Sequence, residues 1–295
     1  MSEFYTTHEL AALLRVKERK IYDLVAKEAL PFRRVTGKLL FPHEEISRWL
    51  HGDGARAGAA PQPAPRADAD RPLVAAGGHD PLLEWALRES RSGIAGFFDG
   101  ALDGLQRAQA GDCIVAGLHI PEEGGWNVSA VAARFTGEPW VLVEWAKRQR
   151  GLVMRPDLAR RPDCLRAARG LRFQSRQAEA GSELVLDKLL AAEKMKRADL
   201  RLVDAVERSE TDLALAIADG RADLGLGIAA AARQFKLDFA PLIEERFDLL
   251  VWRKAWFDPP FQKLAAFCLS PAFQEKAKAL GGYDVSGFGT VRFNG

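Results

Sequence analysis

Cysteine is scarce in this sequence, three residues in 295, and Cys113, Cys164 and Cys268 stand far apart with no Cys-x-x-Cys spacing. The five histidines are not clustered either, which excludes a zinc site built on adjacent ligands and makes a reducing compartment the simpler reading. Long apolar runs are absent: none approaches the roughly 18 to 20 residues that span a bilayer. The opening Met-Ser-Glu-Phe-Tyr-Thr-Thr-His has no basic segment followed by an apolar one. The expectation is a cytoplasmic protein with no membrane partner. Neither sign of charge dominates, since 42 Lys and Arg face 40 Asp and Glu. A net charge of +2 excludes a histone-like or polybasic protein, so any nucleic-acid contact must come from a local surface. Also missing are a Gly-x4-Gly-Lys-Ser/Thr phosphate loop, a His-Glu-x-x-His pair and a Gly-x-Ser-x-Gly elbow. With no coherent nucleophile and base, the chain is not expected to be an enzyme, and no cofactor is expected.

What is present is ordinary globular material, 47% hydrophobic and 28% charged, in a length that suits about two domains. His51 to Arg71 read HGDGARAGAAPQPAPRADADR, without an aromatic or large aliphatic residue. Such a stretch cannot repay its ordering entropy by burial. The division expected is therefore a module over 1–51, a linker over 52–71 and a larger domain over 72–295.

In the first module Thr7 is placed to cap a helix with apolar Leu10, Ala11 and Leu14. Val16 falls in a turn, and a second helix carries Ile21, Tyr22, Leu24 and Val25. That second helix offers Lys17, Arg19 and Lys20 at its start, where such a helix meets base edges and phosphates. Pro31 to Phe41 read as a strand, a Thr-Gly turn flanked by cations, and a second strand, which suits a wing on the phosphate backbone. Glu44 to Leu50 read as a third helix anchored by Ile46 and Trp49. In this order, Tyr5 to Leu50 resembles the excisionase family of small winged helix-turn-helix proteins, related to MerR-type DNA-binding domains. The resemblance implies double-stranded DNA as partner, with Arg19, Lys20 and Tyr22 facing the major groove and Arg33, Arg34 and Lys38 in the wing.

From Pro72 onward short apolar runs alternate with amphipathic stretches, the pattern of an α/β architecture with mainly parallel strands. Strands are expected at 73–76, 94–98, 114–118, 140–143, 171–174, 202–206, 224–226 and 239–243, with helices between them. At four places a strand gives way to small or polar residues and then a helix. They are Gly77-Gly78-His79-Asp80-Pro81, Leu118-His119 through Asn127, Arg176-Gln177 through Gly181-Ser182, and Ser209-Glu210-Thr211. Helix starts expose amides and the positive dipole end, so several converging on one cleft form an anion site. Each one singly is ordinary capping.

Taken over Pro72 to Phe288, the phrases Gly78-His79-Asp80-Pro81, Phe98-Asp99-Gly100, Asp219-Gly220-Arg221-Ala222-Asp223 and Glu245-Arg246-Phe247-Asp248-Leu249 carry a second likeness. They resemble the two-lobed type II periplasmic-binding-protein fold, in the cytoplasmic group fused to helix-turn-helix modules and related to molybdate-binding proteins. This implies a second lobe over about 150–243, chain crossings near 147–155 and 241–250, and capture of a small anion between the lobes. Molybdate or tungstate is the effector the resemblance favours. The candidate ligand residues are Gly78, His79, Asp80, His119, Asn127, Arg176, Gln177, Gly181, Ser182, Ser209 and Thr211. Two departures stand out: Gly78 replaces a common hydroxyl residue, and Glu179 brings a carboxylate into the third turn. The expected protein is a ligand-responsive transcriptional regulator acting as a homodimer. A sensor of a small organic ligand, and an enzyme of cofactor metabolism, stay open as alternatives.

Overall fold

The computed structural model describes residues 4–14, 16–26, 30–35, 38–43, 45–46 and 71–295. The chain divides into two compact units, Met1–Ala64 and Pro65–Gly295. The stretch 51–70, the Thr36-Gly37 turn, Glu44 and 47–50 with Trp49 lie outside the described residues.

In the first unit β1 (Phe4–Thr6), β3 (Lys38–Pro42) and β2 (Arg33–Val35) form a sheet in that order, all antiparallel. Helix Thr7–Leu13 is capped by Thr6, not by Thr7 as the sequence reading had it. Thr6 keeps extended angles and accepts from the Glu9 amide at 3.3 Å, while Glu9 returns a carboxylate to the Thr6 amide at 2.7 Å. This reciprocal box satisfies amides the helix leaves free, and Thr7 becomes its first residue. Val16 sits in the bend before helix Glu18–Ala26. Leu10, Ala11, Ile21, Val25, Leu30, Phe41 and Ile46 meet in one core.

The larger unit contains a ten-stranded hydrogen-bonded sheet built around two strands of 15 residues, β9 (Trp140–Met154) and β13 (Asp238–Trp252), paired antiparallel along their length. On one side lie β6 (Val115–Leu118), β4 (Val74–Gly77) and β5 (Ala95–Phe97), and after β6 the chain forms a separate two-stranded ribbon of β7 (Pro121–Glu122) and β8 (Gly125–Trp126). On the other lie β12 (Leu224–Ile228), β10 (Arg172–Arg176) and β11 (Arg201–Glu207), while β14 (Tyr283–Asp284) and β15 (Val291–Asn294) pair with β9 and complete the ten. Within each flank the strands run parallel, with helices such as Pro81–Glu89 and Glu210–Ala218 packed between them. The flanks meet β13 and β9 antiparallel, so the sheet is mixed where mainly parallel strands were expected.

Each flank is a lobe with its own core. One centres on Leu82, Leu118, Val143, Trp145, Phe247 and Phe273, the other on Leu152, Phe173, Leu186, Leu190 and Leu224. The crossings, expected near 147–155 and 241–250, are made by continuous strand in β9 and β13. The sequence reading ended these strands at Val143 and began the second at Phe239, whereas β9 runs eleven residues further and β13 nine further than Ile243.

Candidate functional site

Where β9 and β13 pass between the lobes, alternation places Arg148 and Arg150 on one face of β9, opposite Glu245 on β13. Asp80, Arg148, Arg150, Arg176, Glu210 and Glu245 are all buried here. Glu245 receives Arg148 Nε at 2.9 Å and Nη2 at 2.5 Å, and Arg150 Nε at 2.7 Å. Arg148 Nη1 reaches Asp80 at 2.8 Å, and Arg150 Nη2 reaches Glu210 at 2.8 Å. Arg176, from the end of β10, puts Nη1 3.3 Å from Glu210 Oε1, an ion-pair contact without hydrogen-bond alignment. Burial alone would raise the carboxyl of Glu210, but Arg150 and Arg176 outweigh it and take it down to about 2. The same contest, won by Arg148 and Arg150, holds Glu245 well below the usual carboxylate range. Three guanidinium groups thus face three carboxylates, a charge-balanced network in low dielectric.

The helix starts at Asp80, Ser182 and Ser209 and the loop residue His119 border this junction, with different duties. Asp80 caps helix Pro81–Glu89 through the Leu83 amide at 2.7 Å, and also takes Trp145 Nε1, Arg148 and the Tyr283 hydroxyl at 2.7 Å. Its lone pairs are occupied, so it organises the site and has nothing to offer a ligand. Asn127 is likewise consumed: it takes the Ile120 amide at 2.6 Å and donates to Leu118 and Asp248. His79 accepts from the Glu210 amide at 3.3 Å through Nδ1, with Nε2 3.2 Å from Glu84, so it joins the lobes directly. Ser209 caps helix Glu210–Ala218. Thr211 lies elsewhere, in a groove of about 580 Å³ with Trp85, Arg88 and Lys276.

His119 is not an open ligand donor. Its ring lies between Gly78 and Gly181, where an added Cβ would come within 2.9 Å and 2.8 Å of it respectively. Nδ1 sits 3.2 Å from Glu245 Oε2, and burial, stronger than the pull of Glu245, lowers the imidazole. A neutral ring therefore fills the gap between the first and third helix starts, where the sequence reading had put an anion. Gln177 binds the Arg208 carbonyl at 3.1 Å, and Glu179 is exposed to solvent.

Four buried polar atoms have no hydrogen-bond partner here: Arg150 Nη1, Arg176 Nη1, Ser182 Oγ and Glu210 Oε2. Arg148, Arg150, Glu210 and Glu245 were not among the expected site residues. For Arg148 and Arg150 a signal was present, as charges directly following the apolar run Trp140-Val141-Leu142-Val143 in Glu144-Trp145-Ala146-Lys147-Arg148-Gln149-Arg150. The lobes are held together by Leu102 N to Glu179 O at 3.0 Å, by Arg208 on Asp99 at 2.5 Å and by Lys188 on the Glu122 carbonyl at 2.8 Å. Beside the crossing strands, a cavity of about 330 Å³ is lined by Trp126, Lys147, Lys188, Glu244, Arg246 and Arg292.

In the first unit Lys17, Arg19, Lys20 and Tyr22 are all exposed, Tyr22 by 52%, while Ile21 and Val25 turn into the core. The second helix therefore keeps its cations off the packed face. Arg33 is exposed but bound to Glu45 at 2.7 Å, which divides its charge between the hairpin and its own fold. Arg34 and Lys38 are placed by backbone alone, at registers Arg34 to Leu39 and Val35 to Lys38.

Two α/β lobes joined by two crossing strands, with a buried polar junction between them, define a binding-protein architecture preceded by a helix-turn-helix unit. The chain belongs to the PBP superfamily domain family, whose model matches residues 84–269, and residues 4–53 match the helix-turn-helix domain model. Among curated proteins it is similar to the uncharacterized protein YvgK of Bacillus subtilis, 26% identical over 265 residues that cover 85% of each chain. Among solved structures it is similar to a Clostridium perfringens substrate-binding protein assigned to phosphate ABC transport, with bound phosphate. That match has a TM-score of 0.50 at 11% identity, over 70% of this chain and 96% of the other, and shows the fold alone. An OxyR mutant of Corynebacterium glutamicum covers 93% of this chain and 89% of its own at a TM-score of 0.48 and 13% identity. No helix among the described residues is long and apolar enough to cross a membrane.

Proposed function

We propose that this protein is a cytoplasmic, one-component transcriptional regulator in which residues 1–51 bind double-stranded DNA and the lobes of residues 72–295 close on a small anion. The observation that carries the ligand half is the set of four unpartnered polar atoms in the junction. Buried polar groups in folded proteins are nearly always hydrogen-bonded, so each of these four calls for a partner that the chain itself does not supply. The ligand set is Arg150, Arg176, Ser182 and Glu210, with Gly78, His79, His119, Gln177 and Gly181 shaping the walls. Molybdate and tungstate remain the oxyanions implied by the resemblance. A small organic anion is the second reading, favoured by the equal number of guanidinium and carboxylate groups.

Because His79 and Arg208 join one lobe to the other, a ligand that favours the closed arrangement alters how a homodimer presents its two DNA-binding units. The test begins with selection of a binding site from random duplexes by the full-length chain. Its affinity for that site is then measured by fluorescence anisotropy with and without molybdate, tungstate, phosphate, sulfate and small organic acids. A ligand that shifts Kd at least fivefold is the expected result. Selection of no duplex sequence would end the DNA-binding reading, and unchanged affinity across the panel would end ligand control.

A further inference from the structure

The unpartnered atoms are of two kinds, and the difference bears on which anion fits; this inference rests on the lobe-junction reading above. Arg150 Nη1 and Arg176 Nη1 can only donate, and Ser182 Oγ can do either. Glu210 Oε2 can only accept while ionised. Its other oxygen is already engaged by Arg150 Nη2 at 2.8 Å and approached by Arg176 Nη1 at 3.3 Å. The carboxylate cannot turn away to find a donor, because it is 1% exposed and the helix it opens is pinned at the Glu210 amide by His79. Beside Oε2 the backbone is Gly227 of β12, where an added Cβ would lie 3.7 Å from the oxygen, so no side chain supplies the donor from that direction. Ser182 directly precedes Glu183, whose carboxylate takes the Arg176 amide at 2.9 Å, which ties the start of that helix to the same cluster.

We propose that Glu210 makes the junction selective for an anion that carries its own O–H, such as hydrogenphosphate or a 2-hydroxy carboxylate, over anions that have none. The anionic oxygens accept from Arg150, Arg176 and Ser182, and the ligand's hydroxyl donates to Glu210 Oε2. Sulfate, molybdate and tungstate are fully ionised near neutral pH and would set an oxygen lone pair against a carboxylate lone pair with no proton between them. A site built to hydrogen-bond a hydroxyl rejects the analogue lacking it far more strongly than an apolar pocket rejects a missing methylene.

The experiment is isothermal titration of the full-length chain, in mildly alkaline buffer where phosphate is a singly protonated dianion. Phosphate is set against sulfate, molybdate and tungstate, and glycolate against acetate. Phosphate over sulfate, or glycolate over acetate, by roughly 100-fold or more is expected; which of the two pairs binds separates an inorganic from an organic source. Sulfate, molybdate, tungstate or acetate binding within tenfold of its protonated counterpart would overturn the selectivity while leaving the site intact. Binding by none of the six would overturn the lobe-junction reading itself. Glu210→Gln presents an amide donor at the same place and should move the phosphate-to-sulfate ratio at least tenfold toward sulfate. Ser182→Ala should weaken both ions with the ratio unchanged, which separates loss of affinity from loss of selectivity should Glu210→Gln not fold.

Discussion

Glu245→Gln isolates the junction network from everything around it. The carboxylate takes three or more contacts from Arg148 and Arg150 and lies against His119, all in a region closed to solvent. Glutamine keeps the volume but offers one oxygen and sets an amide nitrogen against a guanidinium. Arg148 retains Asp80 and Arg150 retains Glu210, so the variant buries one uncompensated positive charge. Breaking a buried pair in this way costs about 3 to 5 kcal/mol. In a unit of this size each kcal/mol is worth about 2 to 4 °C, so Tm should fall by roughly 6 to 20 °C. Urea unfolding followed by circular dichroism gives the free energy directly. Glu244→Gln, one residue away, is the control: that side chain is 54% exposed with Lys147 at 4.0 Å, and it should stay within about 0.5 kcal/mol of wild type. The pH dependence supplies a second reading. A carboxylate depressed in the folded state contributes stability that is present above its unfolded pKa of about 4.3 and lost as pH falls through its folded one. The gap between wild type and Glu245→Gln should therefore narrow in acid. A cost under about 1 kcal/mol at neutral pH would refute the account of the junction as a mutually dependent network.

Other consequences are independent of that network. Burial raises Asp248 to about 6, against the hydrogen bonds of Asn127 and Arg246, so its charge opposes folding above that pH. Asp248→Asn should match wild type below about pH 4 and exceed it by up to roughly 3 kcal/mol above pH 6, measured by urea unfolding; a less stable variant at pH 8 would contradict this. Gly181→Ala drives a Cβ to 2.7 Å from the His119 carbonyl and should cost about 1 to 3 kcal/mol in thermal melts, whereas an unchanged Tm would show that the lobes give way. Lys20→Ala should weaken binding to every duplex alike and lower the slope of log affinity against log salt by about 1. A change of sequence preference instead would move Lys20 from phosphate to base contact.

Element identity in the larger unit was legible because each signal is local. Asp80 before Pro81 and Ser209 before Glu210 mark helix starts with a side chain that can reach an amide three residues on, and both do so. The resemblance to a two-lobed fold depended on such phrases and agrees with the structure. Strand length failed for a physical reason. Glu144, Lys147, Arg148 and Arg150 interrupt the apolar run after Val143, and charge inside a strand ordinarily marks its end. Here the strand continues because each buried charge meets an opposite one on another element.

The sequence by itself therefore determined the helix-turn-helix order, the alternation of strands and helices, and the capped helix starts. Tertiary structure alone decided what those starts enclose. Arg148 finds Asp80 across 68 residues, Arg150 finds Glu210 across 60 and Glu245 across 95. His119, separated from Glu245 by 126 residues, occupies the gap between two glycines. No periodicity reports a pairing at such separations: each partner's burial is tolerable only once the other has arrived, and the folded chain alone brings them together.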